Sequence, residues 1–322
     1  MVDLPDAEPV TYTVDKGRVE RGFDFGATAE WQVVRRATNA ASGTVTGVLV
    51  RPGSSVRSGD ALYRVDERPV FVASGAVPQY RDLSAGDVGQ DVRQLQQLLT
   101  DRGYLSSTPS GTFGTATESA VRAWQRASGV RETGVVPRGD LLFVERLPAR
   151  VRLAGSITVG AQLSPGAEAV HVLAASPRFT MTLSDEQLDS VPPNARVRVS
   201  TGGQTWKAQV ASLQAGEPGE TTLVLRGARG GEVCGAQCDR YIGTHGPQRL
   251  RATVVVVPRT SGPMVPAAAI QSDVNGGLFV TDTSGEQRPV EVLAADGGQA
   301  IVDGLEIGTE ILLFGQAEAQ SG

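Results

Sequence analysis

Cys234 and Cys238, in "GEVCGAQCDRY", and His245 just beyond them are the residues that most invite a chemical reading. Two thiolates and an imidazole at short spacing could hold zinc or support nucleophilic catalysis. A zinc site takes about four ligands, and the only other histidine, His171, is distant along the chain. A thiol peptidase or transpeptidase needs a cysteine activated by a histidine. In "THGPQ" the cysteines precede His245 closely, and no Ser-His-Gly-Cys follows. No Gly-x-Ser-x-Gly elbow or phosphate loop occurs either. No catalytic residue is therefore assigned, and no metal or cofactor is expected. The expectation for Cys234 and Cys238 is a disulfide closing a local loop in an oxidising compartment, with two free thiols as the alternative.

Composition narrows the remaining classes. The chain has 322 residues, 40% hydrophobic and 20% charged, enough apolar material for several packed domains. Gly 39 and Pro 18 point to many turns between short strands. The net charge is −5, and only Lys16 and Lys207 are lysines, so there is no basic cluster of the kind a nucleic-acid binder presents. The excess of Arg, Ala, Gly and Val is actinobacterial-like, as in a GC-rich genome. No run of about 18 apolar residues is present, and no signal peptide is recognised. The chain opens abruptly on "MVDLPDAEPVTYTV", and a membrane anchor lying before this segment is the expectation.

With catalysis set aside, the chemistry left is recognition by polar and aromatic side chains. These concentrate in the one helical stretch, "GQDVRQLQQLLTDRGYL" from Gly89 to Leu105. Val92, Leu95 and Leu99 recur at helical spacing, with Asp87 and Gln90 as a capping-box-like start and Gly103 as the stop. A second helix opens on Thr115-Ala-Thr-Glu118, buries Val121 and Trp124, and ends at Gly129. Phe113 plugs the gap between the two. Val92, Leu95, Leu99, Phe113, Val121 and Trp124 are the expected core, and Gln96 and Gln125 are placed to hydrogen-bond loop backbone. The binding candidates are Arg81, Arg93, Gln94, Gln97 and Tyr104.

This stretch resembles the small three-helix peptidoglycan-binding domain, through "GQDVRQLQQLL", "RGYL", "GTFGTATESAVRAWQ" and "TGVV". Trp124 stands where that family has Phe, and "SSTPSGTFG" lacks the aspartate common before Gly-x-Phe-Gly. The resemblance implies peptidoglycan as a partner.

The flanks share a rhythm. "GVLVRPGSSVRSGDALYRV" and "GSITVGAQLSPGAEAVHVL" both read strand, Gly turn, short strand, Gly turn, strand. The first copy resembles half of a biotinyl/lipoyl domain. Lys16, in "TVDKGRV", lies too far upstream to be a carrier lysine. Split lipoyl halves are similar to those of the periplasmic adaptor, or membrane-fusion (HlyD-type), family. There a long helical hairpin separates the halves, where this chain has the short helical unit. Further on, "FTMTLSDEQLDSVPPNARVRVS", "VPAAAI" and "VDGLEIGTEILLFG" resemble the family's barrel and terminal domain.

The fold expected is mainly β and multidomain: a lipoyl-like barrel-sandwich hybrid, a β-barrel and a membrane-proximal β-domain, with a small all-α three-helix insert. The expected boundaries are 1–30 pairing with the membrane-proximal domain, 31–75 and 137–175 as lipoyl-like halves, 76–136 as the insert, 176–258 as the barrel, and 259–322 as the terminal domain. The resemblance implies a non-catalytic extracytoplasmic adaptor of an export transporter, with a permease in the cytoplasmic membrane as partner and a ring of identical chains as assembly. The alternative is a secreted or anchored wall-binding protein without a transporter.

Overall fold

The computed structural model describes residues 10–313. Residues 1–9, the start of the N-terminal segment expected over 1–30, lie outside the described residues, as do Phe314 and Gly315 at the end of the expected closing strand pair. The chain divides into two compact units, one of residues 28–179 and 234–249, the other of the remaining segments.

In the first unit, alternating valines build two facing sheets. A five-stranded sheet runs Gln162–Leu163, Gly43–Val48, Ala61–Val65, Arg68–Ser74, Leu141–Val144, and a four-stranded sheet runs Val33–Thr38, Glu168–Leu173, Ala149–Leu153, Ser54–Val56. Each sheet takes strands from both repeats, so neither repeat has a core of its own. Ala37, Val45, Leu62, Tyr63 and Val72 pack with Val151, Ile157 and Val170 in one apolar cluster. One pairing in the five-stranded sheet is parallel, Arg68–Ser74 beside Leu141–Val144, with Phe71 opposite Leu141. Parallel neighbours need a long crossover, and the helical insert supplies it.

The insert carries two helices, α1 (Gln90–Asp101) and α2 (Thr115–Ala127), where three were expected. Residues 81–88 run as turns instead: the Asp87 carboxylate accepts from the Ser84 N–H at 2.7 Å, and Gly86 takes φ +94. The capping-box expectations also fail. Gly89 and Gly114 occupy the N-cap positions without side-chain caps. Asp87 is engaged with Ser84 and Arg81, and Glu118 pairs with Arg122 at 2.9 Å. The apolar faces of both helices close on Leu83, Leu105, Phe113 and Val136, and on Phe71, Ala73 and Leu141 from the sheet.

Residues 234–249 join this same unit rather than the barrel expected over 176–258. Cys234 and Cys238 form a disulfide and are buried. The reason for the placement is cover: the Trp31 indole N–H donates to the Ile242 carbonyl at 3.1 Å, and Ile242 is fully buried. The Arg150 guanidinium lies 4.5 Å above the Trp31 ring and pairs with Asp239 at 2.7 Å, while Arg152 donates to the Thr244 carbonyl at 2.6 Å.

The main sheet of the second unit has eight strands in the order Arg196–Thr201, Gln204–Ala215, Glu220–Gly227, Arg178–Ser184, Asp15–Glu30, Gln248–Pro266, Gln299–Asp303, Glu291–Asp296. The first strand also pairs with Gln248–Pro266, which closes six strands into a barrel. The segment 1–30 therefore does not serve the terminal domain alone. Thr11–Thr13 pairs there with Glu310–Leu312, but Asp15–Glu30 is a barrel strand. Val14, Val265, Val280, Ala300, Val302 and Ile311 form the terminal core.

Candidate functional site

The five binding candidates of the insert fall into different environments. Gln94 is 4% exposed, and its amide accepts from the Val77 N–H at 2.9 Å and donates to the Val77 carbonyl at 2.7 Å. It is a buried clamp on the segment leading into the insert, a correction to the exposed position expected. Arg81 is likewise occupied. Its guanidinium meets Asp91 at 2.7 and 3.1 Å, Asp87 at 3.0 Å and the Val88 carbonyl at 3.0 Å. The Asp91 carboxyl is almost fully buried at the first turn of α1, and the hydrogen bond from Arg81 holds it below the usual carboxylate range. The positive end of the helix dipole favours the same charge.

Arg93 and Gln97 are exposed on α1. Arg93 donates to the Ser110 carbonyl at 3.3 Å, and Gln97 donates to Asp101 at 2.7 Å. Tyr104 is partly buried against the insert core. The structure does not bring the five together into one site.

Three buried glutamines organise the loops around the helices. Gln96 donates to the Thr112 carbonyl at 2.9 Å and accepts from the Gly111 N–H at 2.8 Å. Gln125 donates to the Val135 carbonyl at 2.8 Å and accepts from the Gly134 N–H at 2.9 Å. Gln79 does more. It donates to the carbonyls of Val136 and Pro137 at 3.2 and 2.9 Å, and accepts from the N–H groups of Gly139 and Leu141 at 3.0 and 3.1 Å. The chain entering the insert is thus stitched to the chain leaving it.

Next to that stitch stand two residues that sequence reasoning missed, Tyr80 and Arg138. Tyr80 is 56% exposed, with the Arg81 guanidinium 5.4 Å from its ring centroid. Arg138 is exposed, and its backbone N–H donates to Asp82 at 2.7 Å. Neither sits on a helix, so helical periodicity could not find them; an aromatic beside the glutamine that opens the insert was the only available signal. Close by, burial pushes the Asp140 carboxyl up to about 6, with the Arg68 guanidinium opposing the shift.

Residues 88–137 match the family model described as "Putative peptidoglycan binding domain". That match covers α1, α2 and the loops pinned by Gln96 and Gln125. A chloroplastic protein disulfide isomerase of Arabidopsis thaliana, pTAC5, is 41% identical over 59 residues, which are 17% of this chain and 15% of that relative. Among solved structures, ZneB from Cupriavidus metallidurans overlays with a TM-score of 0.31 at 14% identity, covering 97% of this chain and 94% of that one. MacA from Actinobacillus actinomycetemcomitans gives 0.35 at 13%, covering 95% and 99%. The membrane fusion protein Spr0693 from Streptococcus pneumoniae R6 gives 0.28 at 11%, covering 72% and 98%. Overlays this loose carry no weight beside the strand pairings themselves.

Proposed function

We propose that this chain is a non-catalytic, extracytoplasmic adaptor subunit of an export transporter, whose helical insert holds peptidoglycan. The observation that carries the reading is the position of the insert. It interrupts one sandwich whose two halves share both sheets and a single apolar cluster, and a closed six-stranded barrel and a small terminal β-domain accompany it. A helical unit that shares a core with the sandwich it interrupts is held rigidly to it, which suits positioning two structures relative to each other. The family match over 88–137 supports the cell wall as one of them.

The disulfide supports an oxidising, extracytoplasmic compartment. The partner is a permease in the cytoplasmic membrane, with an N-terminal anchor holding the chain beside it and a ring of copies around it. Wall binding by one copy is weak, in the range of roughly micromolar to millimolar, and several copies on a ring raise the effective affinity.

Three experiments test the reading. Pull-down of the full chain from native membranes recovers an export permease, and deletion of the chain lowers export by that permease. Co-sedimentation of the full chain with purified sacculi tests the wall arm. Undiminished export after deletion sinks the adaptor role, and recovery of sacculus binding without any permease favours a wall-binding protein alone.

A further inference from the structure

We propose that the wall ligand is taken by the cleft where the insert joins the sandwich, and that the ligand is a carboxylate-bearing muropeptide; this rests on the wall-binding reading above. The cleft has a volume of about 370 Å³, within the range of roughly 300–1,000 Å³ typical of small-ligand sites. It is lined by the sandwich strand carrying Arg35, by the Asn39 turn, by Gln79 and Tyr80 leading into the insert, and by Arg138 and Leu142 leading out of it. Both halves and both junctions of the insert contribute, so the cleft exists only in the interrupted sandwich.

The side chains at this cleft differ in how far they are committed. Arg35 is held by Glu145, and Gln79 is consumed by backbone. The Arg138 guanidinium has no hydrogen bond or ion pair among the described residues. A guanidinium left open beside a cleft is suited to a carboxylate, which it grips with two parallel hydrogen bonds. Tyr80 adds a largely exposed ring against which a sugar face or an apolar peptide side chain can lie. Leu142, 4% exposed, gives the cleft an apolar wall. A disaccharide bearing a short peptide presents these three features together: carboxylates, pyranose faces and alkyl side chains.

The site is also preorganised. The four hydrogen bonds of Gln79 fix the backbone beside Tyr80, and the bond from the Arg138 N–H to Asp82 fixes the other side. Little ordering is left to be done when a ligand arrives.

The test uses the full chain and two probes: a soluble disaccharide-tetrapeptide, and the same compound with its peptide carboxyl groups amidated. Wild type binds the first and binds the second at least about tenfold more weakly. R138A and Y80A each weaken binding of the first by about tenfold, with unchanged melting, and R138K gives an intermediate loss. If wild type binds neither sacculi nor the disaccharide-tetrapeptide, the wall-binding reading itself fails. If wild type binds sacculi but R138A and Y80A bind like wild type while R93A or Q97A loses binding, the cleft is overturned and the reading stands. Equal binding of the two probes, or binding of sacculi without the disaccharide-tetrapeptide, overturns the ligand assignment.

Discussion

The rings of Phe71 and Trp124 meet edge to face, with centroids 5.0 Å apart and planes at 62°. Phe71 belongs to a sandwich strand and Trp124 to α2, so this contact makes the insert and the sandwich share a core. Replacing Trp124 by Ala is expected to cost about 3–5 kcal/mol. A double-mutant cycle with Phe71→Ala should show a coupling of about 0.5–1.5 kcal/mol. Urea titration of the full chain measures both, and strictly additive effects would show that the rings do not cooperate. A fragment of residues 76–136 would lack Phe71 and Leu141 and so expose part of this core.

Gln79→Leu should destabilise the junction by about 3 kcal/mol, because the buried N–H groups of Gly139 and Leu141 lose their acceptor. Hydrogen exchange reads this directly. Those two amides should lose protection well before the amides of α1 do, and unchanged protection at both would show that Gln79 does not hold the junction.

The Cys234–Cys238 bridge closes a loop with a sequence separation of 4. So short a loop removes little chain entropy, and a Cys234→Ser/Cys238→Ser variant should lose about 2 kcal/mol or less. Alkylation followed by mass spectrometry should find no reactive thiol before reduction. Stoichiometric labelling of the unreduced, unfolded chain would contradict the bridge.

Two carboxyls give opposite pH dependences. Asp140 is raised from 3.8 to about 6 in the folded chain by burial. Between those values the folded state holds more protons than the unfolded one, so stability falls as pH rises from about 4 to about 6 and is level above that. The expected loss is at most about 2–3 kcal/mol, and Asp140→Asn should abolish it. Asp282 is lowered from 3.8 to about 2 by its hydrogen bonds, the Ser284 hydroxyl first, with the Glu286 N–H and Arg288 adding to it. Its stabilisation is present above pH 4 and is lost as pH falls toward 2. Unfolding free energies across pH 2–7 for wild type and D140N separate the two, and a D140N profile identical to wild type would refute the assignment.

Elements whose information is local are legible in the residue pattern. The spacing of Val92, Leu95, Leu99, Val121 and Trp124 sets two helical faces, and alternating valines between Gly turns set a mainly β chain. Tertiary structure alone decided which surfaces those elements share. The two repeats exchange strands because each sheet needs the other to cover its apolar face. Gln94 looks exposed on a helix until Val77 folds back onto it, and Arg81 looks free until Asp91 is buried beside it. The disulfide loop lies between barrel strands in the chain, yet it docks through Trp31, 211 residues away, because Ile242 and the sulfur pair need apolar cover. Tyr80 and Arg138 flank the same stitch only because a parallel strand pair forces the two ends of the insert together. Local propensity carries no record of such closures, since they are fixed by what remains unburied once each element has formed.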